Sequence, residues 1–125
     1  MAPLFHAASA LKAAYAAWNK GAIALAAATH ALAAREGVGD ALAEEWRGTQ
    51  PDALKRLEQL RNSARKAWRW TGEMEEIAAA FAEADLPDGF HLAAAQLYDR
   101  LVSFKDAAGL PSVADIVAAL SAGRR

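Results

Sequence analysis

A chain of 125 residues is long enough to form one domain that buries a hydrophobic core without disulfides or bound metal. It contains no cysteine, which excludes disulfides and thiolate metal sites and is compatible with the cytoplasm, where we expect the protein to be. Its 14 basic and 15 acidic residues give a formal net charge of −1, which argues against a globally basic nucleic-acid-binding protein. We therefore expect a single domain, residues 1–125, with no nucleic-acid partner.

The first third of the chain, residues 3–35, predicts one long helix. At 1.5 Å per residue it would be roughly 45–50 Å long, whereas a compact monomer of this length is roughly 35 Å across. Since the helix is longer than the body it belongs to, we expect a second copy of the chain to cover the excess. Its apolar side recurs at alternating four- and three-residue steps, a heptad-like row that we call the seam: Leu4, Ala8, Leu11, Tyr15, Trp18, Ala22, Leu25, Thr29 and Leu32.

The long helix does not resemble a membrane segment. Asn19, Lys20 and Gly21 interrupt its apolar run, and alanine is only weakly apolar. A spanning helix needs about 20 predominantly apolar residues. A secretory signal would need an early basic cluster and a leucine-rich core, and neither is present. We expect no membrane partner.

Five shorter helices are predicted after the first one. Glycines at positions 37 and 39 suit a left-handed helix cap, so the first helix should end near position 35. Asp40 is expected to cap the second helix, and Pro51 fits the first turn of the third. Ser112, with Asp115 three residues on, forms a capping box that should open the last helix. The expected ranges are about 41–46, 51–70, 71–84, 88–107 and 113–122.

The helical spacing of apolar residues also predicts which faces of the later helices are buried. No run of alternating β-branched residues is bounded by turns, so we expect no strand and an all-α fold. The predicted buried residues are Leu54, Leu57, Leu60, Ala64 and Trp68 in the third helix; Met74, Ile77, Ala78 and Phe81 in the fourth; Phe90, Ala94, Leu97, Leu101 and Phe104 in the fifth; and Val113, Ile116, Val117 and Leu120 in the last.

Three segments carry a family resemblance: KAWRWTGEMEEIA from position 66, LPDGFH from position 86 and SALKAAYAAWNKG from position 9. Together they resemble the helical C-terminal domain of NAD-binding 6-phosphogluconate and β-hydroxyacid dehydrogenase-like proteins, over about residues 7–107. In that group the helical domain usually follows a Rossmann domain. The resemblance implies an all-α fold and intertwined dimers built through the long helix.

The resemblance also implies a catalytic lysine on the long helix. Lys12 occupies the matching position. The asparagine that usually follows one turn later is replaced by Ala16, and Asn19 lies a turn further along, so we take Lys12 and Asn19 as the candidate catalytic residues. A Lys-Asp pair of those enzymes falls near Glu75 and Glu76, which is a second departure from the family pattern.

The chain lacks the strand and Gly-x-Gly-x-x-Gly loop whose backbone amides receive the pyrophosphate of a dinucleotide. Gly37-Val38-Gly39 is no substitute, because the third glycine is missing and no strand precedes it. We expect no cofactor for this chain alone, and NAD(P) only together with a separate Rossmann-domain protein. The chain is therefore not predicted to be a self-sufficient NAD(P)-dependent dehydrogenase.

Six further residues are candidate ligand-binding residues, each with a structural alternative. The default interpretation of the tryptophans is packing in the core or a dimer interface, and the alternative is a pocket for an apolar or flat ligand. His91 suits an acid/base role, or a histidine at a helix start that bonds a backbone group. His6 and His30 have no acidic partner at metal-ligand spacing, so no metal site is expected. The six candidates are Tyr15, Trp18, Trp68, Trp70, Glu76 and His91.

Three functions remain open from the sequence. The first is a stand-alone or truncated substrate-binding and dimerisation domain of a β-hydroxyacid-dehydrogenase-like oxidoreductase, which holds a small organic ligand in a helix-lined cleft. The second is a cofactor-independent isomerase or cyclase that reuses this cleft, and the third is a purely structural dimerisation module. A pocket faced by Lys12, Asn19 and the tryptophans would favour the first two, and a fully packed interior would favour the third.

Overall fold

The computed structural model of the protein describes residues 4–122, with side chains from residue 7 onward. The expected helix start at Pro3, the expected frayed tail from Gly123 and the side chain of His6 lie outside this range. The described chain is all-α and has no strand, as predicted. Its six helices are α1 Leu4–Arg35, α2 Gly39–Thr49, α3 Pro51–Ser63, α4 Trp70–Glu83, α5 Gly89–Asp99 and α6 Val113–Ser121.

The end of α1 follows the predicted glycine cap. Gly37 adopts a left-handed conformation with φ of +79°, which a side chain would oppose. The amide of Val38 donates a 2.8 Å hydrogen bond to the carbonyl of Ala33, and the amide of Gly37 donates to Ala34 at 3.1 Å. These bonds satisfy carbonyls that the end of the helix leaves free.

The second helix is longer than predicted. It begins at Gly39, so Asp40 lies inside its first turn and makes no cap hydrogen bond. Gly48 does not break it; the Thr49 hydroxyl donates to the Glu45 carbonyl at 2.9 Å within the last turn. The helix ends where Pro51 follows, because the residue before a proline is disfavoured in helical geometry.

The third and fifth helices are shorter than predicted. The third ends at Ser63 and is followed by a turn and a 3₁₀ segment, Ala67–Arg69. The fifth ends at Asp99, and a second 3₁₀ segment, Val102–Phe104, follows. A short 3₁₀ turn keeps a near-helical residue spacing. The helical spacing of apolar residues therefore continues past the ends of α3 and α5, and the sequence pattern does not reveal where these helices end.

The core forms around one face of α1, which packs against all five other helices. Small alanines on this face let the neighbouring helices approach closely. The largest fully buried side chains come from four helices and the turn after α5: Ile23, Leu60, Met74, Tyr98 and Leu101. The predicted buried faces of α3, α4 and α6 are largely confirmed, with Leu57, Leu60, Met74, Ile77, Ala78, Ile116 and Leu120 buried.

One predicted core position of α5 was wrong: Phe90 was expected in the core but is 73% exposed. Ala94 and the following Leu101 are buried as predicted, and Leu97 and Phe104 pack partly buried against the core. His91, Ala95 and Tyr98 were not predicted and are buried as well. Because neighbouring helical residues point about 100° apart, the face that turns His91 inwards turns Phe90 towards solvent.

The seam lies on the side of α1 that faces away from the core. Its large members are between 63% and 71% exposed: Leu11, Tyr15, Trp18, Leu25 and Leu32. The sequence pattern therefore marked a real apolar row, and the described residues of one chain leave most of each of these side chains exposed. Within residues 4–122, no helix combines the length and the hydropathy that crossing a bilayer requires.

Candidate functional site

Charged, aromatic and imidazole side chains meet where the middle of α1 contacts α4 and α5. Lys20 of α1 places its Nζ 2.7 Å from Oε1 of Glu73, in the first turn of α4. The same ammonium lies 4.9 Å from the centre of the Trp70 ring. Both charged side chains are partly exposed, so this ion pair forms the solvent-facing edge of the site. We call Lys20, Trp70, Glu73, His91 and Tyr98 the junction cluster.

Two side chains of α5 donate hydrogen bonds to backbone carbonyls of α1. The Tyr98 hydroxyl donates to the carbonyl of Lys20, and Nε2 of His91 lies 3.0 Å from the carbonyl oxygen of Ala17. Because a carbonyl only accepts, this bond requires the proton on Nε2. The two bonds are one helical turn apart on α1 and two turns apart on α5, and they fix the two helices in register.

Gly21 makes the approach of His91 to α1 possible. A Cβ at this position would lie 3.0 Å from His91 Nε2. On the side of the imidazole away from Gly21, the centre of the His91 ring lies 4.9 Å from the centre of the Phe81 ring. Its Nδ1 is buried and has no partner among the described residues. The imidazole is therefore a packed core group that is bonded to a backbone carbonyl.

Burial controls the chemistry of the Tyr98 phenol. Burial raises the pKa of Tyr98 well above its ordinary value, and the carboxylate of Glu73 raises it further, while a backbone hydrogen bond at Ala24 opposes them. Its ring meets Trp70 edge-on at 5.1 Å. The phenol is thus a neutral hydrogen-bond donor at physiological pH.

Most other predicted site residues lie on the surface, away from the junction cluster. Lys12, Tyr15 and Glu76 are exposed, and Asn19 is half-buried. Trp18 is exposed as part of the seam and lies 5.9 Å from the Arg56 guanidinium. Of the eight candidates, only Trp70 and His91 belong to the junction cluster.

Trp68 forms a separate aromatic–basic contact. Its Nε1 donates to the Arg65 carbonyl at 3.2 Å. Lys105 Nζ lies 4.9 Å from its ring and the Arg69 guanidinium lies 5.6 Å away. The half-buried Trp68 therefore packs between its own segment and the turn after α5.

The sequence did not predict that Lys20, Glu73 and Tyr98 belong to this site, or that Gly21 makes room for His91. One signal was present: Lys20 and Gly21 interrupt the apolar run of α1 at its midpoint. Lys20 and Glu73 are 53 residues apart in the chain, and Gly21 and His91 are 70 residues apart. Local patterns could therefore not identify these pairs.

Two surface grooves lie beside the C-terminal half of α1. One, of about 480 Å³, is lined by apolar residues of α1 and α2, including Leu32, Val38 and Leu42. The other, of about 330 Å³, lies between α1, α5 and α6. None of the eight predicted site residues lines either groove. Among the described side chains, no group of three potential metal ligands is close enough to hold an ion.

A protein-family model matches residues 33–101, from the end of α1 through α5. The family is described as a domain of unknown function, DUF1932. This domain is the helical C-terminal domain of NAD-binding 6-phosphogluconate and hydroxyacid dehydrogenase-like proteins. Four members of the junction cluster lie within the match, whereas Lys12, Asn19 and Lys20 precede it. No curated protein and no solved structure matches the chain significantly.

Proposed function

Because the chain belongs to the DUF1932 family of dehydrogenase-associated helical domains, we propose that it is the dimerisation and substrate-binding domain of a β-hydroxyacid-dehydrogenase-like oxidoreductase. The observation that supports this most strongly is the exposed seam on α1. Five large apolar side chains stand in one row on the face opposite the core. Such a row is more apolar surface than a soluble monomer usually leaves uncovered.

A second copy of the chain is the occupant that fits the seam. Trp18 and Leu25 are equally distant in sequence from the boundary between Gly21 and Ala22, and so are Leu11 and Leu32. Two copies of α1 packed antiparallel about this point would therefore bring Trp18 opposite Leu25 and Leu11 opposite Leu32, while Tyr15 would lie level with Ala28 of the other copy. The small Ala22, the seam residue nearest this centre, would let the two helices approach closely. A two-fold axis of this kind is the commonest symmetry of homodimers.

Cross-linking tests this pairing, because the chain has no native cysteine. We expect a mixture of Leu11→Cys and Leu32→Cys chains to form mixed disulfide dimers on mild oxidation, identified by peptide mass spectrometry. Each variant alone is the matched control and should cross-link poorly, because in the antiparallel arrangement position 11 of one copy is far from position 11 of the other. Efficient 11–11 and 32–32 links would contradict the antiparallel arrangement.

We infer that the NAD(P) of the proposed oxidoreductase would be held by a separate Rossmann-type domain. The Gly37–Gly39 turn supports this inference, because it joins two helices and no strand precedes it among the residues from 4 onward. The chain alone should bind NADH with a dissociation constant no better than about 1 mM, or about 4 kcal/mol of binding free energy. A micromolar constant in a fluorescence titration would refute this inference.

Lys12 remains the proposed catalytic residue, and Asn19 its proposed companion on α1. Both lie on the N-terminal half of α1, where Lys12 is exposed and accessible to another domain. A lysine ammonium there can donate a proton or hold an anionic substrate group at the boundary between two domains. The junction cluster supports this role indirectly, because it holds the middle of α1 on α4 and α5.

One observation favours the alternative function, a purely structural dimerisation module. None of the tryptophans, Lys12 or Asn19 lines either groove described above. The two functions make different predictions for the assembled oxidoreductase. Lys12→Met should abolish NADH-linked turnover if the domain contributes catalysis, and should leave turnover unchanged if the domain only mediates dimerisation.

A further inference from the structure

The groove between α1, α5 and the end of α6 brings two arginines together. Arg35, the last residue of α1, and Arg100, just after α5, both line it. No aspartate or glutamate is among its lining residues. Neither arginine takes part in the ion pairs found between described residues. The groove therefore carries two positive charges with no carboxylate of its own.

Arg100 is held in place by one of its donors only. Its Nη1 donates to the carbonyl of Leu120, near the end of α6, at 2.9 Å. Its Nε is buried and has no acceptor among the described residues. Buried charged donors normally have a partner, because an unsatisfied one is costly. The guanidinium is thus positioned by the protein, and because its Nε is buried, only its Nη groups can reach a ligand in the groove.

The remaining walls of the groove determine what kind of anion fits. Gln96 and Ser121 supply neutral hydrogen-bonding groups, and Leu32, Leu97 and Leu120 supply apolar surface. A volume of about 330 Å³ is at the lower end of the range for small-molecule sites. Guanidinium groups pair well with planar carboxylates through two parallel hydrogen bonds.

We propose that this groove binds an organic carboxylate with a short apolar body. The carboxylate lies against Arg35 and Arg100, and the apolar body lies against Leu97 and Leu120, since Leu32 also belongs to the seam. The groove is distinct from the proposed catalytic position, because Arg35 and Lys12 are 23 residues apart on one helix, roughly 35 Å. The arginines, Leu97 and Leu120 lie outside the seam, so this site and the proposed dimer can each fail without the other.

Benzoate is a suitable probe, and benzamide is its uncharged counterpart of nearly the same shape. In amide NMR spectra of the full chain, we expect benzoate to give saturable shifts at Arg35, Gln96, Arg100 and Ser121, with millimolar affinity. Benzamide and inorganic phosphate should bind at least fivefold more weakly. Equal binding of benzamide or of phosphate, shifts located elsewhere, or no saturable shift would each overturn the proposal.

Arg35→Gln tests the charge directly, since this exposed side chain contributes little to folding. We expect benzoate to bind at least fivefold more weakly to this variant. Arg65→Gln is the matched control, because Arg65 is also an exposed arginine but lies outside the groove. Unchanged benzoate affinity in Arg35→Gln, or an equal loss in both variants, would contradict the assignment.

Discussion

His91 and Gly21 depend on each other at the centre of the molecule. The imidazole reaches the Ala17 carbonyl only because position 21 has no side chain. A buried histidine next to an aromatic ring was a candidate for acid/base chemistry, but its contacts are those of a structural group. His91 and Tyr98 are therefore packed core groups, whereas Lys12 is exposed.

Gly21→Ala tests this dependence. The new methyl group must displace the imidazole, and the expected net destabilisation is about 1–3 kcal/mol despite the better helix propensity of alanine. Gly72→Ala is the matched control: Gly72 is also helical, and a Cβ there meets nothing within 4 Å. It should stabilise the fold by up to about 1 kcal/mol. Chemical denaturation that finds both variants equally stable would contradict the account of His91.

Lys12→Met and Lys20→Met should differ in their effect on folding. Lys12 is exposed, so its replacement should change the free energy of unfolding by less than about 0.5 kcal/mol. Lys20 pairs with Glu73 and lies over Trp70. Both contacts are partly exposed, so their loss should cost only about 1 kcal/mol. Thermal melting of the two variants checks this order, and a larger loss for Lys12→Met would show that Lys12 is structural.

At the scale of helices, the best-predicted boundaries are those that local chemistry marks. The end of α1 and the opening of α6 agree with the sequence, because a glycine cap and a capping box are read from a few adjacent residues. The ends of α3 and α5 were missed, because apolar spacing continues through the turns after Ser63 and Asp99. The junction cluster could not be predicted at all, since Lys20 and Glu73 meet only through the fold.

Ser112→Ala tests the capping box of α6. The Ser112 hydroxyl accepts from the Asp115 amide at 3.0 Å, and the Asp115 carboxylate accepts from the Ser112 amide at 3.0 Å. Loss of the cap should destabilise the protein by about 1 kcal/mol, within the 0.5–2 kcal/mol typical of such caps. Exposed Ser103, which caps no helix, is the control, and Ser103→Ala should be nearly neutral. Equal stability of the two variants would show that the cap contributes nothing.

For the whole molecule, α1 has two faces with different roles. Its alanine-rich face forms the core with five other helices, and its seam presents large apolar side chains to solvent. At about 48 Å, the helix is longer than a compact body of this chain length. The proposed dimer would explain both features, because the second copy would cover the seam along its full length.

Trp18→Asp should separate the proposed dimer without unfolding the chain. Trp18 is 69% exposed within one copy, so an aspartate there meets water in the monomer. In the dimer the same charge would be buried and unpaired, which costs several kcal/mol. Phe90→Asp is the matched control, because Phe90 is as exposed as Trp18 but lies outside the seam. Circular dichroism should show full helix content for both variants.

The molar mass in solution tests the central claim most directly. Light scattering during gel filtration, at micromolar concentration, should give about twice the 13.2 kDa chain mass for the native protein and for Phe90→Asp. Trp18→Asp should give the mass of one chain. A native protein that keeps the one-chain mass at the highest concentration tested, or a Trp18→Asp variant that remains dimeric, would contradict dimerisation through the seam.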